Sequence, residues 1–246
     1  MKRILLIGLA LLAMASCKKV TPEERIDSIY TFFENNEDNY STRLAGLDPA
    51  KRPDYLMLVL ANELKADEVW TLGEEEDTSL AAEFNGEAEK DKQLSIISAS
   101  LDEVDACAAA LNIMHAFKEL KIKPSSHIRI LFFSPARDSS STSGLSVCQQ
   151  DIQEAGEMVS FDLNLSSSGA CPAHTFVIEE SARFVDRFLE LVTPYFAQRG
   201  DFTFTKGPYP NPEWALKAPT YRYDINPDER QKEYAAVTTL TFLLNF

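Results

Sequence analysis

The sequence predicts an α/β fold: a three-layer α/β/α sandwich around a largely parallel mixed sheet. Three observations predict it. Strand-like runs alternate with amphipathic helical runs along the whole chain, which suits helices packed on both faces of a sheet. The 246 residues are 45% hydrophobic, enough for one sizeable core. No internal repeat and no Pro/Gly/Ser linker divides the chain, so residues 17–246 read as a single α/β domain with an N-terminal helical extension.

The elements follow in order. Thr21-Pro22-Glu23-Glu24 reads as an N-cap, a Pro at the first helical position and a capping-box Glu. Ile26, Ile29, Tyr30 and Phe33 then share one helical face. Asn35 to Pro53 is polar and turn-rich, and a second apolar helix is expected from Asp54 to about Ala66. Glu74 to Asp77 is a charge run that reads as a solvated loop. Strands are expected over Ser79–Phe84 and Gln93–Ser100, with Asn85-Gly86 as a turn between them.

Glu103 to Ile122 reads as a long helix, with Cys107 as a small core residue. His127–Phe133 is a buried strand, followed by a polar loop over Ser134–Ser143 and a helix over Leu145–Ala155. Met158–Asn164 and Thr175–Ile178 read as strands. Phe184, Val185, Phe188, Leu189 and Val192 form an amphipathic stripe that Gly200 would stop. Phe202–Thr205 follows as a strand. Four prolines make Gly207–Pro219 an irregular loop, and Asn226-Pro227-Asp228-Glu229 introduces a last helix running towards Leu244.

The N-terminus is an address. Lys2 and Arg3 precede an apolar run from Ile4 to Met14, too short to span a bilayer and suited to a signal-peptide core. It ends in Leu12-Ala13-Met14-Ala15-Ser16-Cys17, which resembles the lipobox of bacterial lipoproteins. The resemblance implies cleavage after residue 16, lipidation of Cys17 and a mature protein held to the cell envelope by its acyl chains. The residue after Cys17 is Lys18 rather than Asp, which leans towards the outer membrane. An ordinary secretory signal with an incidental Cys is the other reading.

Composition excludes some classes. There are 24 Lys and Arg against 38 Asp and Glu, a net charge of −14, and loss of Lys2 and Arg3 deepens it by two charges. An acidic excess of this size opposes nucleic-acid binding. Gly-rich phosphate loops and HExxH are absent. Gly144-Leu145-Ser146-Val147-Cys148 falls one residue short of a GxSxG elbow, and Ser146 trails the preceding strand by a long loop. With Cys17 lipidated, Cys107, Cys148 and Cys171 remain, and a Cys148–Cys171 disulfide is one expectation for an oxidising compartment. Spacing brings none of His115, His127 and His174 to a Ser, Cys or carboxylate.

Several segments, read together, resemble the aminopeptidase Y/glutaminyl cyclase family of zinc exopeptidases. Leu80 to Gly86 is similar to its "NVIAxxxG" strand and turn, and Ile96 to Asp102 to its "vvxxaHxD" strand. Asp105 to Leu111 resembles the "DxASGvaalle" helix start, and His127 to Phe133 the "rtIrfvFF" strand before the Glu-Glu pair. Val159 to Asn164 is similar to "vinlDmxG", and Tyr221 to Asp224 to "yHtxxD". Order and spacing agree from about Ser79 to Asp162, and more loosely beyond.

The family's chemistry rests on two zinc ions held by His and carboxylates, with a Glu as general base. Carried over residue by residue, most of that set fails here. Ser100 stands at the first His ligand, and the bridging Asp falls on Val104 or Asp105. Ala136 replaces the catalytic Glu, Arg137 the ligand Glu, and Arg222 the final His. Asp162 matches the Asp ligand. An Arg cannot coordinate and repels a cation.

The resemblance therefore implies a catalytically degenerate relative that needs no cofactor, although zinc is the family's metal. Its old cleft would be lined by Ser100, Asp102, Asp105, Arg137, Asp162 and Arg222. Such mixed charge also suits an internal ion-pair network. The implied role is a non-catalytic binding or scaffold protein with an envelope protein or peptide as partner. An adaptor would use the aromatic, Pro-rich loop carrying Tyr209 and Trp214. The alternative is an active metal-dependent peptidase using non-standard ligands, drawing on His174.

Overall fold

A computed structural model describes residues 20–37, 39–73, 78–87, 93–134, 144–169, 171–179, 185–199, 202–207 and 219–245. The N-terminal segment with Cys17, the Glu74–Asp77 run, Ala136 and Arg137, Gly200 and the segment bearing Tyr209 and Trp214 lie outside them.

Strands β1 (Glu68–Leu72), β2 (Ser79–Phe84), β3 (Gln93–Ser100), β4 (His127–Phe133), β5 (Met158–Ser166), β6 (Thr175–Glu179), β7 (Thr203–Gly207) and β8 (Thr220–Asp224) form one sheet. Their order is β1-β2-β4-β3-β5-β8-β6-β7. The centre, β4-β3-β5-β8, is parallel, as is β6 with β7. β1 with β2, β2 with β4, and β6 with β8 are antiparallel. The helices are α1 (Pro22–Asn35), α2 (Tyr40–Ala45), α3 (Arg52–Leu58), α4 (Val104–Glu119), α5 (Gly144–Ala155), α6 (Val185–Ala197) and α7 (Arg230–Leu244). They lie on both faces, so the expected mixed α/β sandwich is the fold.

The two faces of the sheet differ in kind. One carries Leu80, Ala82, Ile97, Ala99, Ile128, Ile130, Phe132, Leu163, Leu165 and Tyr223, all within the main core. Helix α4 packs there on β3 and β5, and brings no bulky side chain at Ala106, Ala108, Ala109 and Ala110, all 0% exposed. α7 packs against α4 and α1 in the same layer, and α6 adds Phe196 against Phe176. The opposite face has a smaller cluster in which Cys148 and Ile152 of α5 meet Ala81, Leu94, Ile96 and Leu131.

The cap of α1 is the expected one: Thr21 Oγ1 accepts from the Glu24 N–H at 3.2 Å, and Glu24 Oε2 from the Thr21 N–H at 3.0 Å. Several boundaries differ from expectation. The polar segment before Pro53 contains α2, held because Tyr40 and Leu44, four residues apart, are both buried. The second helix begins at Arg52 and continues as a π-helix over Val59–Leu64, closed by Lys65 at φ 62°. β1 is half-exposed at its best positions, so it lacks the apolar run that marks a strand. α6 continues through Pro194. Asn226 Oδ1 accepts the Asp228 N–H, but Pro227–Glu229 form a 3₁₀ turn before α7 starts at Arg230. No helix among the described residues is long and apolar enough to cross a membrane.

The Cys148–Cys171 bridge is not made; both are free thiols, as is Cys107. Cys148 is buried under α5 near β2 and β4, and burial pushes its thiol up to about 12. Cys171 lies beyond β5 beside β8, where its N–H donates to Asp224 Oδ2. The strands between keep the two apart. Ser146, inside α5, has none of the strand-to-helix turn geometry of a nucleophile elbow.

On the α5 face, Arg129 is 6% exposed in its side chain and is clamped from two sides. Its Nη2 reaches Glu83 Oε2 at 2.7 Å and its Nη1 reaches Glu157 Oε2 at 2.6 Å, while its guanidinium carbon lies 5.0 Å from the Trp70 ring centroid. Removing this cation leaves two partly buried carboxylates facing each other. Arg129→Met is therefore expected to lower stability by about 3 kcal/mol in urea unfolding, with Arg129→Lys losing less. A loss below about 1 kcal/mol for the Met variant would show that the clamp holds nothing.

Candidate functional site

In sheets of this type ligands bind beyond the carboxyl ends of the parallel strands. That edge is formed here by Ser100 of β3, Ser166 of β5 and Asp224 of β8, which the registers bring level. Because β6 runs antiparallel to β8, its amino end, with His174 just before it, also lies at this edge.

The tight connection from Ser100 to Val104 gathers several groups. Ser100 is 8% exposed, and its carbonyl accepts from the Cys107 thiol at 3.2 Å and the Glu103 N–H at 3.0 Å. Asp102 is exposed, and its carbonyl accepts from Arg52 at 3.4 Å. Glu103 Oε2 accepts the Ser167 N–H at 2.5 Å, tying this connection to the one after β5. Asp105, in the first turn of α4, is met by Arg230 Nε at 2.7 Å from the first turn of α7. A cavity of about 570 Å³ opens beside that pair, with Glu37, Asp228, Glu229 and Lys232 among its lining residues.

Of the residues implied as the cleft, Ser100, Asp102 and Asp105 are brought together at the carboxyl edge. Asp162 is not at its lip. It lies four residues before the end of β5, about 13 Å back along the strand. It is 0% exposed, and Ser98 Oγ donates to its Oδ1 at 3.0 Å. Asn164 Nδ2 in turn donates to Ser98 Oγ at 3.0 Å. Burial holds the Asp162 carboxyl well above the usual range, with the Ser98 hydrogen bond only partly opposing it. Arg222 lies opposite Asn164 in the register, two residues before the end of β8. Ala136 and Arg137 belong to the residues outside the description.

Sequence spacing gave no partner for any His, and the fold supplies two. His127 Nδ1 is 2.9 Å from Asn85 Oδ1 and 3.5 Å from Glu83 Oε1. His174, at φ 52°, places Nδ1 2.8 Å from Oε1 of Glu233, a fully buried carboxylate on α7, and Nε2 3.6 Å from Glu229. Burial raises the Glu233 carboxyl, while the Tyr223 hydroxyl and His174 pull it back. Burial first, and then the Glu233 charge beside it, push the Tyr223 hydroxyl above its usual range. No local signal joins His174 to Glu233, or Asp105 to Arg230, because each pair is made across the fold. His115, half-buried, packs edge-on to Phe32 and Tyr40.

The described residues do not fit a two-zinc centre. Among the described residues no group of three or more His, Cys, Asp or Glu is placed to hold a metal ion. Ser100 offers a hydroxyl, Asp105 already carries a guanidinium, and Asp162 is sealed within the sheet.

Comparison with solved structures gives the class. The fold matches that of a Zn-dependent exopeptidase from Parabacteroides distasonis, with TM-score 0.61, 13% identity, and coverage of 89% of this chain and 97% of that one. It matches Porphyromonas gingivalis glutaminyl cyclase at TM-score 0.59 and 15% identity, covering 89% and 97%. It also matches the Legionella pneumophila LapA aminopeptidase at TM-score 0.55 and 14% identity, covering 94% and 72%. The chain thus has a zinc exopeptidase/glutaminyl cyclase-like fold. No protein-family model matches the sequence, and no curated protein is similar to it at significant level.

The His174–Glu233 pair yields a stability expectation. His174→Ala strands a fully buried carboxylate and should cost about 3 kcal/mol. Adding Glu233→Gln to that variant should return a large part of the loss, because the residue then left is neutral. A double-mutant cycle in urea unfolding measures this, and additive losses would deny the coupling.

Proposed function

We propose that this chain is a lipid-anchored envelope protein that uses a zinc-exopeptidase-like fold for binding or scaffolding rather than for catalysis. The observation that carries the reading is the Arg230–Asp105 ion pair. At 2.7 Å, a guanidinium sits on the one carboxylate at the carboxyl edge that the family resemblance offers as a bridging ligand. A second cation, Arg222, replaces the final His. An edge supplied with fixed positive charge attracts acceptors and disfavours a metal dication. The low count of 3 His agrees with this reading.

The lipobox-like Met14-Ala15-Ser16-Cys17 supports the anchor, and the strongly acidic body suits a domain tethered outside the cytoplasm. Outer-membrane residence and a peptide or envelope-protein partner belong to the same proposal.

Two measurements test it. The purified full chain is expected to carry well under one zinc per molecule and to show no chelator-sensitive release of amino acids from aminopeptidase substrates. Near-stoichiometric zinc with turnover that a chelator abolishes would establish the peptidase alternative. Separately, Cys17→Ser is expected to move the protein from the membrane to the soluble fraction on cell fractionation; unchanged membrane retention would rule out the lipid anchor.

A further inference from the structure

Among the described residues of the implied cleft, Arg222 has a buried side-chain donor, Nε, with no hydrogen-bond partner. It lies on β8 between Asn164 of β5 and Val177 of β6. Its neighbours Tyr221 and Tyr223 belong to the main core, so Arg222 projects from the other face of the sheet. Ser98, Asp162 and Asn164 are on that same face, joined by hydrogen bonds. Among the described residues, the Arg222 side chain makes no hydrogen bond and no ion pair within 4 Å. Its Nε is sealed from solvent without an acceptor, while the residue as a whole keeps part of its surface open. Asp162, the nearest carboxylate in the adjoining strand's register, already accepts from Ser98.

Two residues further along the same face, Asp224 has the complementary deficit. Its Oδ2 takes the Cys171 N–H, and its Oδ1 is buried with no donor. A buried donor atom and a buried acceptor atom without hydrogen-bond partners each carry a desolvation cost that a partner would remove. Residues two apart in a strand are separated by about 6.6 Å. That span admits one ligand offering a carboxylate to the guanidinium and an N–H to the aspartate. Arg is the side chain whose planar fork matches a carboxylate.

We infer that Arg222 and Asp224 form a recognition site for the carboxyl terminus of a peptide, the α-carboxylate on Arg222 and the last amide N–H on Asp224. This rests on the binding-protein reading and names its ligand class. The old cleft thereby exchanges cation binding for capture of an anionic chain end.

The test uses the purified full chain, immobilised, and a pool of randomised N-acetylated tripeptides prepared once as free acids and once as C-terminal amides. Bound peptides are quantified by mass spectrometry. The free acids are expected to be retained at least about tenfold over the amides, the worth of one charge-assisted pair. Arg222→Gln should bring the two pools to parity, Arg222→Lys should keep a reduced preference, and Asp224→Asn should lower retention of both. Because the guanidinium is unpartnered, Arg222→Gln is also expected to melt within about 3 °C of the wild type.

Equal retention of acids and amides by the wild type would overturn the assignment, as would a preference that Arg222→Gln leaves intact. A large fall in melting temperature for Arg222→Gln would instead make Arg222 a structural ion-pair member and equally overturn it. None of these outcomes touches the zinc and turnover measurements, so a failed carboxylate site is separable from a failed binding-protein reading.

Discussion

The rest of the structure depends on how α4 lies against the middle of the sheet. A run of Ala at 106, 108, 109 and 110 presents methyl groups where larger side chains would hold the helix away from β3 and β5. With the central helix seated, α7 packs beside it, α1 over α7 and α2 over α4, so one continuous core forms on that face. The far end of α7 is fastened to the amino edge of the sheet by Asn245. Its Oδ1 accepts from Ser95 at 3.0 Å and Ser126 at 2.6 Å, and its carbonyl accepts from Ser125 at 2.5 Å. A larger residue within the Ala run would disturb every one of these relations through overpacking.

The opposite face shows what happens where that apolar layer is missing. α5 covers β1, β2 and β4, and beneath it Arg129 is satisfied by two glutamates and an indole. Beyond it, β5 and β8 show Asp162, Asn164, Arg222 and Asp224, polar groups on strands that are apolar on their other side. The alternation of a strand, in which neighbouring residues face opposite ways, lets one segment serve both purposes. In Tyr221-Arg222-Tyr223-Asp224 the tyrosines hold the sheet to its helices, and the charged residues face the other way.

Much of the fold was legible because burial imposes strong patterns. Ser79–Phe84, Gln93–Ser100 and His127–Phe133 are strands with the boundaries their apolar runs suggested, since each is almost wholly buried. β1 escaped notice for the converse reason: an edge strand pairs on one side only and tolerates Glu68 and Thr71 at exposed positions. The π-helical turn at Val59–Leu64 is invisible to a 3.6-residue period. At the site, residue types could be read but partners could not. Asp105 looked like a free carboxylate until Arg230, distant in sequence, was brought to it, and His174 looked solitary until α7 delivered Glu233. Asp162 resembles a ligand by motif, yet the register places it inside the sheet rather than at its lip. Motif matching counts residues along a strand, whereas the cleft is defined by where that strand ends.

The division of labour between the faces also explains how the fold can tolerate exchange of residues at its carboxyl edge. The apolar contacts of α1, α4, α6 and α7 are made on one side of the sheet, and Ser100, Asp102 and Asp105 stand at its rim. Exchanging a rim residue removes little buried apolar area, which is the dominant source of stability. What such an exchange must satisfy is local electrostatics: a partly buried carboxylate is stabilised by a cation, and Arg230 is that cation for Asp105. The Arg230–Asp105 ion pair balances that charge at this edge from within the chain. Arg222 stands apart because its buried Nε has no hydrogen-bond acceptor among the described residues, so the fold's own polar contacts do not account for it.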